Sequence, residues 1–251
     1  MTSLSVNINK IATLRNQRAG EVPSVLKFAA IALDAGAHGI TVHPRPDERH
    51  IRGSDLAPLS ALCKARGVEF NIEGNPFEGR WLEQVLAIRP DQATLVPDAN
   101  DQKTSDHGFP LDPGTAAGRV SMHLLQPVVA RLKAAGIRVS LFVDPDPAHA
   151  RGAKLAGADR IELYTEGWAH AFNQGGSARA GMLAAYGATA KAAQAEGLGV
   201  NAGHDLSLDN LQPFLAGVSG VLEVSIGHAL TADALELGMA QAVRKYLACC
   251  R

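Results

Sequence analysis

The sequence of 251 residues predicts a (β/α)8 barrel, because two observations indicate eight alternating strands and helices. First, an Ala-rich stretch ends five times at a glycine that is followed almost at once by a short run of β-branched residues. A glycine just past the last helical turn ends the helix in a left-handed conformation and directs the chain into the next strand. These glycines are Gly36, Gly67, Gly136, Gly157 and Gly197. Second, three further apolar runs, at residues 5–8, 92–96 and 221–225, complete a count of eight strands.

The elements alternate along the whole chain. The remaining strands are expected at residues 39–42, 68–72, 137–143, 160–163 and 198–201. Helices are expected at residues 24–35, 55–66, 77–88, 120–135, 148–156, 180–196, 208–215 and 232–246. This alternation implies right-handed βαβ units and a parallel sheet. An open, doubly wound sheet remains an alternative, but no strand is followed by a glycine-rich nucleotide turn, and the GxGxxA string at residues 197–202 enters a strand instead of leaving one.

Length and composition favour one globular domain over residues 1–251. The hydrophobic fraction of 46% is enough for a sizeable core, and 24 basic against 25 acidic residues give no general field for nucleic acid or an anionic membrane. The three cysteines, Cys63, Cys249 and Cys250, lack metal-ligand spacing and are expected to be thiols. No run of about 18 apolar residues could span a bilayer, so a cytoplasmic location is expected.

A set of polar residues falls at or just beyond the carboxyl ends of the predicted strands. In a (β/α)8 barrel this rim carries the catalytic groups. The set comprises Asn7, Asn9, Lys10, His43, Arg45, Glu73, Asp98, Asp144, Glu162, Thr165, His204, Gly227 and His228.

Three of these residues suggest acid–base chemistry. His43 precedes Arg45 and His50 on one loop, which suits proton transfer on an anionic substrate, although a hydrogen-bonded histidine at a strand end is the alternative. Glu73 ends a strand and could be a base or an ordinary surface carboxylate. Glu162 lies inside a strand, where burial is unfavourable without a partner, and this favours a functional role.

The seventh and eighth strands each end in a Gly-His pair, at His204 and at His228. Loops after these two strands commonly hold a phosphate on backbone N–H groups, whereas packing of small residues at the barrel top is the structural alternative. Motifs of P-loop enzymes, zincins, serine hydrolases and CxxC redox proteins are missing, and no metal site is evident, although nine histidines leave a His/Glu site open.

Four segments resemble the pyridoxine 5′-phosphate synthase family, in order and from end to end. They are residues 6–16 (VNINKIATLRN), 39–45 (GITVHPR), 200–204 (VNAGH) and 226–229 (IGHA). The resemblance implies a (β/α)8 barrel with a few additional helices, assembled as a homo-octamer built from dimers. It also implies a cofactor-independent condensation of 1-deoxy-D-xylulose 5-phosphate with 3-amino-2-oxopropyl phosphate to pyridoxine 5′-phosphate, inorganic phosphate and water.

The resemblance also implies site residues. His43 and Glu73 correspond to general bases, His204 to a general acid and Glu162 to a glutamate that stabilises the transition state. The amino-ketone phosphate would be held by Asn7, Arg18, Gly227 and His228, and the deoxyxylulose phosphate by Arg45, His50 and Thr104. The insertion at residues 97–119 is the candidate lid, because proton transfers around an imine need water excluded.

The chain departs from the family pattern at four places. Asn9-Lys10 replaces the usual Asp-His pair, and Lys10 could still hold a phosphate as a point charge. Asp205 replaces a common glycine, so only its backbone N–H would suit a phosphate. Tyr164 stands where histidine is frequent, and Glu166 looks like an extra residue.

Two other functions remain open. One is a barrel lyase or aldolase acting on phosphorylated sugars, with Lys10 as the Schiff-base lysine, since this is the only lysine near a strand end. The other is a non-catalytic paralogue that binds phosphorylated metabolites. The presence of four titratable residues at a site where burial is unfavourable argues against a non-catalytic paralogue. These residues are His43, Glu73, Glu162 and His204.

Overall fold

A computed structural model describes residues 1–99, 102 and 104–251, and shows a closed barrel of eight parallel strands. Each strand pairs with its sequence neighbours, and β8 closes the barrel on β1 through partners such as Ser5 and Ser225. The strands are β1 Ser3–Asn7, β2 Gly39–Val42, β3 Glu69–Gly74, β4 Gln92–Leu95, β5 Arg138–Val143, β6 Arg160–Tyr164, β7 Gly199–Gly203 and β8 Val221–Ile226. The predicted barrel is confirmed, and the open sheet is excluded.

Eleven helices accompany the strands within the described part of the chain. They are α1 Asn9–Arg15, α2 Val25–Asp34, α3 Gly53–Arg66, α4 Trp81–Ile88, α5 Ala116–Ala134, α6 Ala148–Leu155, α7 Glu166–Gln174, α8 Gly176–Ala195, α9 Leu211–Gly217, α10 His228–Leu237 and α11 Met239–Cys249. The five predicted cap glycines all have positive φ, and Gly67, at φ 62°, directly caps α3. Within the described ranges, no helix combines the length and apolar character needed to cross a bilayer.

The helix prediction was wrong in three places. Neither α1 nor α7 was among the predicted helices. The helix predicted at 232–246 is two helices, because Gly238 takes φ 78° and ψ 144° and breaks the run. Residues 100, 101 and 103 of the predicted lid lie outside the described residues.

The barrel strands alternate between two environments, and this alternation positions the site. Apolar residues such as Val6, Ile40 and Ile72 are fully buried in the main hydrophobic core. The residues between them carry polar side chains that meet one another: Ser5 and Thr41 share a hydrogen bond of 2.6 Å, and Thr94 of β4 donates to Asn71 at 3.1 Å. Because side chains alternate along a strand, the polar set that fills the interior leads directly to the carboxyl-end rim.

Candidate active site

A cavity of about 400 Å³ opens at the carboxyl ends of the strands. The residues to which the resemblance assigns a role all line it except Arg18, which lies in an exposed turn after α1. Asp98, Asp144 and Thr165 of the predicted rim do not line it. The roles of all these residues stay predictions. The cavity is lined by Asn7, Asn9, Lys10, His43, Arg45, His50, Glu73, Val96, Thr104, Ser105, Phe142, Glu162, Glu166, His204, Asp205, Ser225, Gly227 and His228. Topology alone therefore brings residues from every part of the chain into one space.

Glu73 lies at the end of β3, deep in this cavity. Asn7 Nδ2 donates to its Oε2 at 3.2 Å, and Ser225 Oγ donates to its Oε1 at 3.4 Å. Trp81 Nε1 donates to the Glu73 backbone carbonyl at 2.7 Å and fixes the main chain. Burial, followed by the negative charge of Asp98, raises the pKa of Glu73 to about 8. A carboxyl group with this pKa can both accept and release a proton near neutral pH.

Glu162 is the second carboxyl group in the cavity and is only 2% exposed. Its Oε2 accepts a hydrogen bond of 3.4 Å from Thr94 Oγ1 across the barrel interior. Burial and then the neighbouring Glu73 raise its pKa well above the ordinary value, because two carboxylates in a dry site repel each other. Glu162 is therefore suited to donate a hydrogen bond as a neutral acid.

His43 follows β2 and is buried against His50, with 5.7 Å between the ring centroids. Burial, then the charges of His50, Arg45 and Arg49, lowers the pKa of His43 well below 6.5. Its backbone N–H donates to Asn9 Oδ1 at 2.9 Å, which holds the histidine to the start of α1. A neutral imidazole in this position can act as a base.

Arg45 joins the β2 loop to the 97–119 insertion. Its Nη2 donates to Asp98 Oδ2, and its Nη1 donates to the carbonyl oxygen of Gln102 at 2.8 Å. The adjacent His50 has its pKa lowered to about 4 by burial, then by Arg45 and Lys10. Two of the three expected ligands of the deoxyxylulose phosphate thus lie side by side under the loop that carries the third, Thr104.

His204 follows β7 and is held at both ring nitrogens. Its Nδ1 lies 3.0 Å from Asp205 Oδ2, and its Nε2 lies 2.9 Å from Thr104 Oγ1. The Tyr164 ring packs edge-on at 5.0 Å, and the Tyr164 hydroxyl donates to Glu166. Two of the residues that depart from the family pattern, Asp205 and Tyr164, therefore contact the predicted general acid, and a third, Glu166, binds Tyr164.

The opposite wall of the cavity combines β1 with the start of α10. Gly227 caps α10, whose first residue is His228, and a helix N-terminus presents backbone N–H groups to an anion. A Cβ on Gly227 would lie 3.0 Å from Asn7 Oδ1, so glycine permits the close approach of the two loops. Lys10 is exposed at the cavity rim. The hydrogen bond with His204 lowers the pKa of Asp205, and the nearby His204, His228 and Lys10 side chains lower it further.

Sequence reasoning missed several lining residues. Val96, Ser105, Phe142 and Ser225 were not named as site residues, and Glu166 was noted only as an insertion. Ser225 lies two positions before the Gly-His pair that follows β8, which is a usable signal, whereas Ser105 comes from an irregular loop with no periodicity to place it. Across the described positions, no group of three or more His, Cys, Asp or Glu residues is arranged to hold a metal ion.

The sequence of this chain is similar to a known protein family over nearly its whole length. Residues 4–251 match the family described as "Pyridoxal phosphate biosynthesis protein PdxJ". A protein named pyridoxine 5′-phosphate synthase from Xanthomonas axonopodis pv. citri is 54% identical, over 98% of this chain and 95% of that protein. Another of that name, from Albidiferax ferrireducens, is 51% identical, over 99% of this chain and 97% of that protein.

Solved structures show the same fold at much greater sequence distance. A tryptophan synthase chain from M. tuberculosis has a TM-score of 0.64 at 13% identity, and the match covers 100% of this chain and 94% of the other. This likeness concerns the barrel alone. Because the family match spans nearly the whole sequence and the relatives agree over nearly their full length, the chain belongs to the PdxJ family of pyridoxal phosphate biosynthesis proteins.

Proposed function

We propose that this protein is a ring-closing synthase that condenses 1-deoxy-D-xylulose 5-phosphate with 3-amino-2-oxopropyl phosphate. The products are pyridoxine 5′-phosphate, inorganic phosphate and water. The observation that carries the proposal is the meeting, in one cavity, of a neutral histidine, a carboxyl group with a pKa of about 8 and a buried neutral carboxyl group, at His43, Glu73 and Glu162. These groups lie between two regions suited to phosphate.

The proposed roles follow from protonation and position. The amine of one substrate condenses with the ketone of the other, phosphate and water are eliminated, and an aldol-type closure with dehydration gives the aromatic ring. His43 and Glu73 remove protons, His204 donates a proton to a leaving oxygen, and Glu162 donates a hydrogen bond to developing negative charge. Acid–base groups of this kind can perform each step without a metal or an organic cofactor.

Two phosphate regions supply binding energy and orientation. Arg45, His50 and Thr104, with Asn9 and Lys10 beside them, are proposed to hold the deoxyxylulose phosphate. Asn7, Gly227, His228 and the backbone of Asp205 are proposed to hold the amino-ketone phosphate, together with Arg18. The 97–119 insertion is proposed as the lid, which the contact of Thr104 with His204 supports, because it joins the insertion to the far side of the cavity.

The setting of the enzyme is also part of the proposal. We propose one catalytic domain over residues 1–251, a cytoplasmic location and a homo-octamer built from dimers. The near-neutral net charge of −1 supports a small-molecule enzyme with no nucleic-acid or membrane partner.

The test is to mix the purified protein with the two phosphorylated substrates and to follow the ultraviolet absorption of pyridoxine phosphate. We expect product with the wild type, and loss of most of the rate with Glu73→Gln and with His204→Ala. No product from the wild type, or an undiminished rate in both variants, would sink the assignment. Borohydride trapping with a carbonyl substrate tests the Schiff-base alternative, and covalent trapping at Lys10 would favour a lyase instead.

A further inference from the structure

Asp98 is a buried carboxylate for which the proposed chemistry has no task. It follows β4 at the start of the 97–119 insertion and is only 4% exposed. Burying a carboxylate is unfavourable unless other groups pair with it. Its partners therefore indicate what it does.

One oxygen of Asp98 gathers groups from two loops. Asp98 Oδ2 accepts from Arg45 Nη2, accepts from Ser105 Oγ at 2.9 Å, and lies 3.9 Å from His43 Nε2. The backbone carbonyl of Asp98 accepts from Asn75 Nδ2 at 2.8 Å, which ties it to the loop after β3. This residue thus connects the loop that carries His43 with the loop that follows the strand of Glu73.

We propose that Asp98 is a positioning residue that holds Arg45 and His43 in register with each other and with the 97–119 insertion. The proposal rests on the proposed function, because it concerns bases assigned there. Arg45 contributes to the same link, since its other guanidinium nitrogen binds the carbonyl oxygens of Gln102 and Ala99. A carboxylate in this place orients the guanidinium and partly offsets its charge beside the neutral imidazole.

The same charge acts on the second base. After burial, Asp98 is the largest cause of the raised pKa of Glu73. Removing this negative charge makes the Glu73 carboxylate easier to form, so its pKa falls. The other charged or titratable groups that face Asp98 or Glu73 stay unchanged in such a variant; they are His43, Arg45, Asp106, His107, Glu162 and Glu223.

The experiment compares Asp98→Asn, Asp98→Glu and a control, Glu83→Gln, by the dependence of kcat and kcat/KM on pH. For Asp98→Asn we expect kcat to fall about tenfold to a hundredfold, because the reacting groups lose their orientation. We also expect the acid limb of kcat/KM to move down by about one pH unit. Asp98→Glu should restore most of the rate and the position of the limb. The control removes a carboxylate that is 73% exposed on α4 and should change neither quantity.

Each outcome decides the proposal. A wild-type pH profile of kcat and kcat/KM for Asp98→Asn overturns the proposal. An Asp98→Glu variant with a kcat no higher than that of Asp98→Asn also overturns it, because this result would indicate a merely structural role. If Asp98→Asn does not fold, Ser105→Ala takes its place, since it removes a donor from the same oxygen; a wild-type kcat there overturns the proposal. No product from wild-type protein would remove the proposed function and this inference together, whereas an active wild type with unaffected variants removes only the inference.

Discussion

Two consecutive residues at the end of β7 show how the backbone is used for function. His204 and Asp205 have φ values of 85° and 59°, in the left-handed backbone region that residues other than glycine rarely adopt. Thr165 Oγ1 donates to the carbonyl oxygen of His204, and Asn210 Nδ2 donates to that of Asp205 at 3.0 Å. Strain of this kind persists only where surrounding contacts enforce it, and it is typical of functional sites.

The variant Asp205→Gly should therefore separate stability from activity. We expect the free energy of unfolding to rise by about 0.5–1 kcal/mol, because glycine adopts positive φ without strain. We expect kcat to fall several-fold, because the carboxylate beside His204 Nδ1 is lost. Denaturant unfolding and steady-state kinetics measure the two effects. Asp209→Gly is the control. Because Asp209 is not among the residues of positive φ, this variant relieves no strain, and the protein should become less stable. A less stable Asp205→Gly protein would contradict the strain argument.

At the scale of elements, the sequence predicts the strands and helix ends that follow a repeated pattern, but it does not predict elements outside that pattern. The eight strands and the cap glycines follow from local periodicity and turn chemistry. Helix α1 gives no such signal: it has seven residues, no acidic residue in its first turn and no side-chain cap. It nevertheless positions Asn9, whose side chain binds the backbone of His43.

Candidate site residues divide in the same way. Residues at strand ends, such as His43 and Glu73, could be named from the sequence because the barrel brings all strand ends together. The partners of Asp98 could not, because its contacts with Arg45 and Ser105 depend on the path of an irregular loop. Long-range pairing of this kind has no period in the sequence.

The junction of β8 with α10 gives an element-scale prediction. In Gly227→Ala, the added methyl group would lie 3.0 Å from Asn7 Oδ1 and push Asn7 away from Glu73 and from the Asn9 N–H. We expect the KM for the amino-ketone phosphate to rise about tenfold, with a smaller change in the KM for the other substrate. Gly181→Ala is the matched control, because nothing lies within 4 Å of the added methyl group. Equal kinetics in both variants would argue against close packing at this junction.

At the scale of the whole molecule, buried polar and charged side chains lie inside the barrel as well as at its rim. Arg138 pairs with Glu69 and donates to Gln92 at 2.8 Å, while Arg160 donates to Asn201 at 3.0 Å. Glu223 is buried near this layer, and burial followed by Glu69 raises its pKa well above the ordinary value. Glu73, Glu162 and Glu223 are therefore a set of three carboxyl groups in the barrel whose pKa values are raised, in each case by burial first.

This set of carboxyl groups makes the stability of the fold depend on pH in a defined direction. His43, His50 and His149 have lowered pKa values, with that of His50 at about 4, so their unfavourable contribution grows as the pH falls through about 6.5. Glu73, Glu162 and Glu223 have raised pKa values, so the folded state binds more protons than the unfolded state as the pH rises above 4.5. Between about pH 6.5 and about pH 8, the protons held by the three folded carboxyl groups outweigh those that the histidines still hold in the unfolded state, and stability falls.

We therefore expect Tm, measured by calorimetry, to decrease from about pH 6.5 to about pH 8, whereas paired carboxylates alone would leave it flat. Glu73→Gln replaces a group with a pKa of about 8 by a neutral amide of the same shape, so its Tm should fall less over this interval. Glu83→Gln, which removes a carboxylate 73% exposed on α4, should keep the wild-type slope. A Tm that is constant or rises in all three proteins would mean that the buried carboxyl groups are ionised in the folded barrel.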